Sequence, residues 1–134
     1  MANTFRGRGN LAAAPILTHR NVNGEPRSVA DLRVYFDRPV PDGEDGFTDR
    51  GGFWLNVSLW GPRAETAARV LAQGARVAVE GHLVQHSWTD ESSGETRARL
   101  ELRAERVDLD LVCVEQVTYR AKGKLAEDDR DAAA

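Results

Sequence analysis

The sequence predicts an all-β domain, a small closed barrel of five strands with one short helix between the third and the fourth. Three observations predict it. Five stretches alternate apolar and polar residues with period two, the pattern of strands that bury one face. A single Ala-rich stretch, Arg63 to Gln73, has helical spacing. Gly, Pro, Asn and acidic residues collect between these stretches and punctuate them as turns. At 134 residues the chain is the length of one domain and long enough to bury a core.

The first strand is read at residues 4 to 11, where Phe5, Gly7, Gly9 and Leu11 face one way and Thr4, Arg6, Arg8 and Asn10 the other. Its glycines are expected to bend it. A short segment follows Pro15, and Asn23-Gly24 favours a tight turn. The second strand spans about Val29 to Phe36, with Leu32, Val34 and Phe36 inward and Asp31, Arg33 and Tyr35 outward. Residues 37 to 52 hold two Pro, four Gly and most of the local acid, and read as a long mobile loop, a kind often functional.

The third strand is the clearest. Phe53, Leu55, Val57 and Leu59 alternate with Trp54, Asn56, Ser58 and Trp60. The helix starts at Pro62 or Arg63, with Ala64, Ala67, Ala68 and Leu71 as its apolar stripe and Gly74 placed to end it. The fourth strand, Arg76 to Trp88, points Val77, Val79, Gly81 and Leu83 inward and His82, Val84, His86 and Trp88 outward. The turn-rich run Thr89 to Glu95 leads into a fifth strand, in which Ala98, Leu100, Leu102 and Ala104 alternate with Arg97, Arg99, Glu101 and Arg103. This order is the OB-fold arrangement. Residues 112 to 119 have the composition of an extra C-terminal strand at an edge or subunit contact, so residues 1–119 form the domain and 120–134 a flexible charged tail.

The net charge is −3, but acid and base are segregated. Residues 1 to 40 carry six Arg against Glu25, Asp31 and Asp37, while acids gather at Asp42, Glu44, Asp45 and Asp49 and again at Glu127, Asp128, Asp129 and Asp131. Sixteen of the eighteen basic residues are Arg, which binds phosphate bidentately and stacks on bases; a genomic bias toward Arg codons gives the same count. No apolar run is long enough for a membrane span, and the single Cys113 fits a reducing compartment, so the protein is expected in the cytoplasm.

The outer face of the third strand carries the functional signal. Trp54 and Trp60 stand about 20 Å apart on it, separated by polar Asn56 and Ser58. A covering helix or partner chain would also account for two tryptophans there, but such a face would carry Val or Leu between them. Aromatic platforms with polar spacers suit a single-stranded nucleic acid.

The residues Gly9-Asn10-Leu11, Pro15, Trp54, Trp60-Gly61, Ala64-Glu65, Gly74, Glu80-Gly81, Leu83 and Trp88-Thr89-Asp90 with Gly94 occur in an order that resembles bacterial single-stranded DNA-binding proteins, over about residues 3 to 110. The resemblance implies an OB domain that wraps single-stranded DNA, usually as a homotetramer, in replication, recombination and repair, which would associate it with the nucleoid. It places Trp54, Trp60 and Trp88 at the family's base-stacking positions. Leu55 stands where the family commonly has a histidine at a subunit contact. The family often has a further stacking Trp just beyond strand two, and Tyr35 is the substitute here. The chain ends in Ala132-Ala133-Ala134, without the apolar tip that recruits partner enzymes in the family, so recruitment by that route is expected to be weak or absent. In this it resembles the short forms carried by mobile or conjugative elements.

The binding set is therefore Trp54, Trp60, Trp88 and Tyr35 for bases and Arg6, Arg8, Arg33, Arg97 and Arg99 for phosphates. Each Arg read singly is equally a solvated or ion-paired surface residue; the cluster carries the argument. Catalysis has little support. His82 and His86 lie about 13 Å apart on a strand and cannot share a zinc ion, Gly7-Arg8-Gly9 does not lead into a helix, and no cofactor or metal is implied. Two further readings stay open. One is an OB-fold protein-interaction module, such as a primosome-type accessory dimer with weak DNA binding; the other is binding of single-stranded RNA, which differs at the sugar. A homo-oligomer, dimer or tetramer, is expected.

Overall fold

The structure, a computed structural model, describes residues 3–43 and 45–121. The described residues form eight strands, one α-helix and one 3-10 turn: β1 (Phe5–Leu11), β2 (Ile16–Val22), β3 (Glu25–Phe36), β4 (Pro39–Pro41), β5 (Phe47–Asp49), β6 (Phe53–Trp60), α1 (Pro62–Val70), β7 (Arg76–Thr89), β8 (Thr96–Leu109) and the turn Leu111–Cys113. The main sheet runs β1-β7-β8-β6-β3-β2, and β1 also pairs with β3. Five strands, β1, β7, β8, β6 and β3, thus close into a ring, the predicted five-stranded OB-fold barrel with its helix between the third and fourth barrel strands.

Closure depends on two close approaches of backbone. A Cβ on Gly9 would lie 2.2 Å from the Tyr35 carbonyl oxygen, where β1 leaves β7 and joins β3. One on Gly81 would lie 2.2 Å from the Arg103 carbonyl oxygen. At that point the β7–β8 register slips, with Glu80 opposite Arg106 and Gly81 opposite Ala104, so Glu105 is the extra residue of a bulge. Inside the ring the predicted alternation is realised by Leu32, Val34 and Phe36 of β3, Leu55, Val57 and Leu59 of β6, Val77 and Val79 of β7, and Leu102 and Ala104 of β8. Ala64, Ala67 and Leu71 pack against this core from α1 and its C-cap.

Several expectations need correction. The segment after Pro15 is a full strand, β2, paired with the first half of β3 through a tight turn at Asn23 (φ 53°) and Gly24 (φ 84°). It ends the sheet order, and Ile16 and Leu17 on it are exposed. The expected long loop at 37–52 contains a small hairpin, β4 paired with β5, held by bonds from the Arg38 amide to Asp49 Oδ1 (2.8 Å) and from Arg38 Nη1 to the Arg50 carbonyl (3.1 Å). The helix stops at Val70, because Leu71 is already extended; Gly74 (φ 85°) belongs to the turn into β7. Phe53 and Leu100, expected inward, are 45% and 52% exposed. Barrel pairing between β6 and β8 begins only at Asn56 opposite Glu101, so the residues before them on each strand lie at or beyond the rim.

The extra strand expected at 112–119 does not form within the described chain. Asp110 caps the 3-10 turn by accepting from the Val112 amide (3.0 Å), which takes the chain off the sheet after Leu109, and both edges of β7 are already occupied by β1 and β8. The segment turns toward α1, where Arg120 donates to Thr66 Oγ1 (3.1 Å). Of the tail expected at 120–134, residues 122–134 lie outside the described residues, as does Glu44. Among the described residues, no helix is long and apolar enough to cross a membrane.

Candidate nucleic-acid interface

Registers across β3, β6, β8 and β7 build one outward sheet face, which is covered at Val29 (1% exposed) and at Ser58 (3%), the latter expected as an open polar spacer. Tyr35 lies opposite Trp54, Arg33 opposite Asn56, Asp31 opposite Ser58 and Val29 opposite Trp60. On the other side of β6, Asn56 lies opposite Glu101 and Ser58 opposite Arg103. From β8 the rows continue onto β7, pairing Arg103 with His82, Arg99 with His86 and Arg97 with Trp88. Six of the predicted residues, Trp54, Trp60, Trp88, Arg33, Arg97 and Arg99, therefore share a face, and Tyr35 joins them at its edge.

Trp54 and Trp88 are the open platforms, 47% and 45% exposed. Each carries a guanidinium over its ring, Arg33 Cζ 5.4 Å from the Trp54 centroid and Arg99 Cζ 5.8 Å from that of Trp88, within cation–π range. Arg33 also donates to Asn56 Oδ1 (3.0 Å). Between the start of β6 and β8, Arg33, Phe53, Trp54, Asn56, Arg99 and Leu100 line an open recess. Its apolar floor and cationic walls can take a planar heterocycle joined to an anionic backbone.

Tyr35 is less free than a stacking platform would be. Its ring packs 5.1 Å from Trp54 at 59°, and its hydroxyl donates to the Asp49 carboxylate on β5. That hydrogen bond, with partial desolvation and the charges of Asp49 and Asp37, holds the phenol above its ordinary range. Two carboxylates share the face. Glu101 is paired with His86 (2.8 Å), and Asp31 sits beside Ser58.

Arg6 and Arg8 are not on this face. Both are exposed on β1, which the ring separates from β6 by β3 on one side and by β7 and β8 on the other. Arg6 there approaches Glu80 (3.8 Å). Arg97 pairs with Asp90 (2.9 Å) at the tip of the β7–β8 hairpin. Two residues outside the predicted set, Arg20 of β2 and Arg103 of β8, both place Cζ 5.9 Å from the Trp60 centroid. The alternation on the fifth strand pointed to Arg103; Arg20 was hidden because β2 was not read as a strand. Among the described residues, no group of His, Cys, Asp or Glu is arranged to hold a metal ion.

Residues 8–110 match the model of the Single-strand binding protein family. The chain is 34% identical over 101 residues to a protein named single-stranded DNA-binding protein from Treponema pallidum, a match covering 75% of this chain and 53% of that protein. Its likeness to a protein of the same name from Corynebacterium glutamicum is 33% over 104 residues, 74% of this chain and 43% of the relative. The chain spans about half the length of these curated relatives. A crystal structure of a small single-stranded DNA-binding protein from Streptomyces coelicolor shares the fold, with a TM-score of 0.67 at 23% identity over 84% of this chain and 97% of that one.

Proposed function

The chain belongs to the single-strand binding protein family, and from that premise we propose that it coats and protects single-stranded DNA without regard to sequence, as a binding protein rather than an enzyme, in replication, recombination, repair or element transfer. The observation that supports this most is the four-strand face on which Trp54 and Trp88 lie open beneath guanidiniums. Stacking accepts any base because every base has a π-face, and the guanidiniums supply a term that tracks phosphates and weakens with salt. Arg6 and Arg8, around the barrel, suit a strand that wraps beyond the tryptophan face. The chain works as a homo-oligomer, a dimer or tetramer, and the exposed Ile16 and Leu17 at the end of the sheet favour self-association through β2.

The test is intrinsic tryptophan fluorescence during titration with oligo(dT) of a few dozen nucleotides, at low and high salt, with duplex DNA of equal length as control. Strong quenching by the single strand alone, weakening as salt rises, is the expected result. No quenching by either nucleic acid would reject the reading in favour of a protein-interaction module.

A further inference from the structure

Trp60 differs from the other two tryptophans. It is half-buried rather than open, its register partner Val29 is 1% exposed, and its indole Nε1 is buried with no hydrogen-bond partner. Two guanidiniums reach its ring from opposite sides of β6 in the strand order, Arg103 from neighbouring β8 and Arg20 from β2 beyond β3. Arg27 adds a third positive charge. It lies directly opposite Arg20 in the β2–β3 register, on the side of β3 that carries Val29. Like charges directly opposite on a sheet are unfavourable. Among the described residues, none of Arg20, Arg27 and Arg103 has a carboxylate within 4.0 Å to offset this; Arg33 and Arg99 over Trp54 and Trp88 have none either, but each of those rings carries one guanidinium where Trp60 carries two with a third charge beside them.

Uncompensated guanidiniums gathered over an aromatic ring are a site that an anion completes. We infer that the Trp60 end of the face is a phosphate clamp, in which Arg20 and Arg103, with Arg27 beside them, grip the backbone of the bound strand while Trp60 serves as their pedestal. Bases stack at the opposite end, on Trp54 and Trp88. The face then has a direction, with a base-stacking end and a backbone-holding end. This gives Trp60 a role other than the base stacking expected for it and rests on the single-stranded DNA reading proposed above.

The experiment uses the full chain and oligo(dT). In a Trp54→Phe, Trp88→Phe variant, Trp60 is the sole remaining tryptophan, and its emission is expected to change little at saturation. In the otherwise unaltered chain, Arg20→Gln and Arg103→Gln together are expected to reduce the slope of log K against log salt by about 1.4, at about 0.7 per single-strand phosphate contact, while leaving quenching at saturation unaltered. Strong quenching of Trp60 emission, or an unchanged salt slope in the arginine variant, overturns the clamp and leaves the DNA reading standing. If the unaltered protein fails to bind oligo(dT), the DNA reading itself fails and the clamp falls with it.

Discussion

The Tyr35 hydroxyl donates a hydrogen bond to the Asp49 carboxylate, tying the edge of the tryptophan face to the β4/β5 hairpin. Because Asp49 also accepts from the Arg38 amide, one carboxylate fixes both ends of the excursion from β3. The tyrosine ring meanwhile supports Trp54 from the side. Tyr35 thus packs against Trp54 with its hydroxyl already engaged.

The phenol gives this latch a pH signature. Its folded-state pKa is raised, first by the Asp49 bond, so its stabilising contribution is present below the ordinary phenol value of about 10 and is lost as pH rises through the higher folded value. Absorbance titration of phenolate should therefore show one tyrosine ionising late. Asp49→Asn should bring that step down, and Tyr35→Phe should remove it while weakening oligo(dT) binding less than Trp54→Ala does.

Removing Trp54 or Trp88 by substitution with Ala should weaken oligo(dT) binding by about 1 to 3 kcal/mol each. Both rings are open, so thermal stability should barely change. Equilibrium titration paired with a melting curve separates the two effects. Binding unchanged in both variants would remove base stacking from this face.

Arg76 locks the bottom of the barrel. It donates from Nη1 and Nη2 to the two Asp37 carboxylate oxygens (2.9 and 3.2 Å) and from Nη1 to Asn10 Oδ1 (2.7 Å), and lies 3.9 Å from Asp110. It thereby joins β1, the end of β3, β7 and the end of β8. Its hydrogen bonds hold the Asp37 carboxyl below the usual range. The depressed value means stability that is present above the ordinary carboxylate pKa of about 3.9 and lost as pH falls through the folded one. Asp37→Asn should cost about 2 kcal/mol at neutral pH and flatten the acid side of the stability profile. An unchanged denaturation midpoint at neutral pH would count against the lock.

Much of this fold is legible in the residues, and the failures have physical reasons. β6 could be read because Phe53 to Trp60 contrast two faces in every pair. β2 could not, because six of its seven residues are exposed and no buried face imposes a period; its existence follows from the Asn23-Gly24 turn and from pairing with β3. Pro39 and Pro41 argue against a strand, yet both fit in a three-residue edge hairpin. Within the site, alternation placed Arg33, Arg97 and Arg99 with the tryptophans. The same alternation placed Arg6 and Arg8 outward, but which way outward faces depends on ring closure, a long-range property invisible to period counting. Arg20 was lost with β2, and the partial burial of Trp60 depends on three strands meeting.

Asp90 closes the tip of the hairpin on which Trp88 stands opposite Arg97. This carboxylate accepts from the Ser92 hydroxyl (2.7 Å) and amide (2.9 Å) and from Arg97 Nε (2.9 Å), closing the hairpin tip over a turn whose Gly94 has φ 72°. The Ser92 bonds above all, with that from Arg97, hold Asp90 below its usual range. Order at the tip is therefore complete above the ordinary carboxylate pKa and fades as pH falls through the folded value. Asp90→Ala should free Arg97, speed amide exchange between Trp88 and Arg97 and weaken oligo(dT) binding severalfold, with the barrel melting unchanged. In a Trp88→Ala background the same substitution should add little to the binding loss. A full additive loss there would mean that Asp90 acts on DNA through Arg97 alone, and not by holding Trp88 in place.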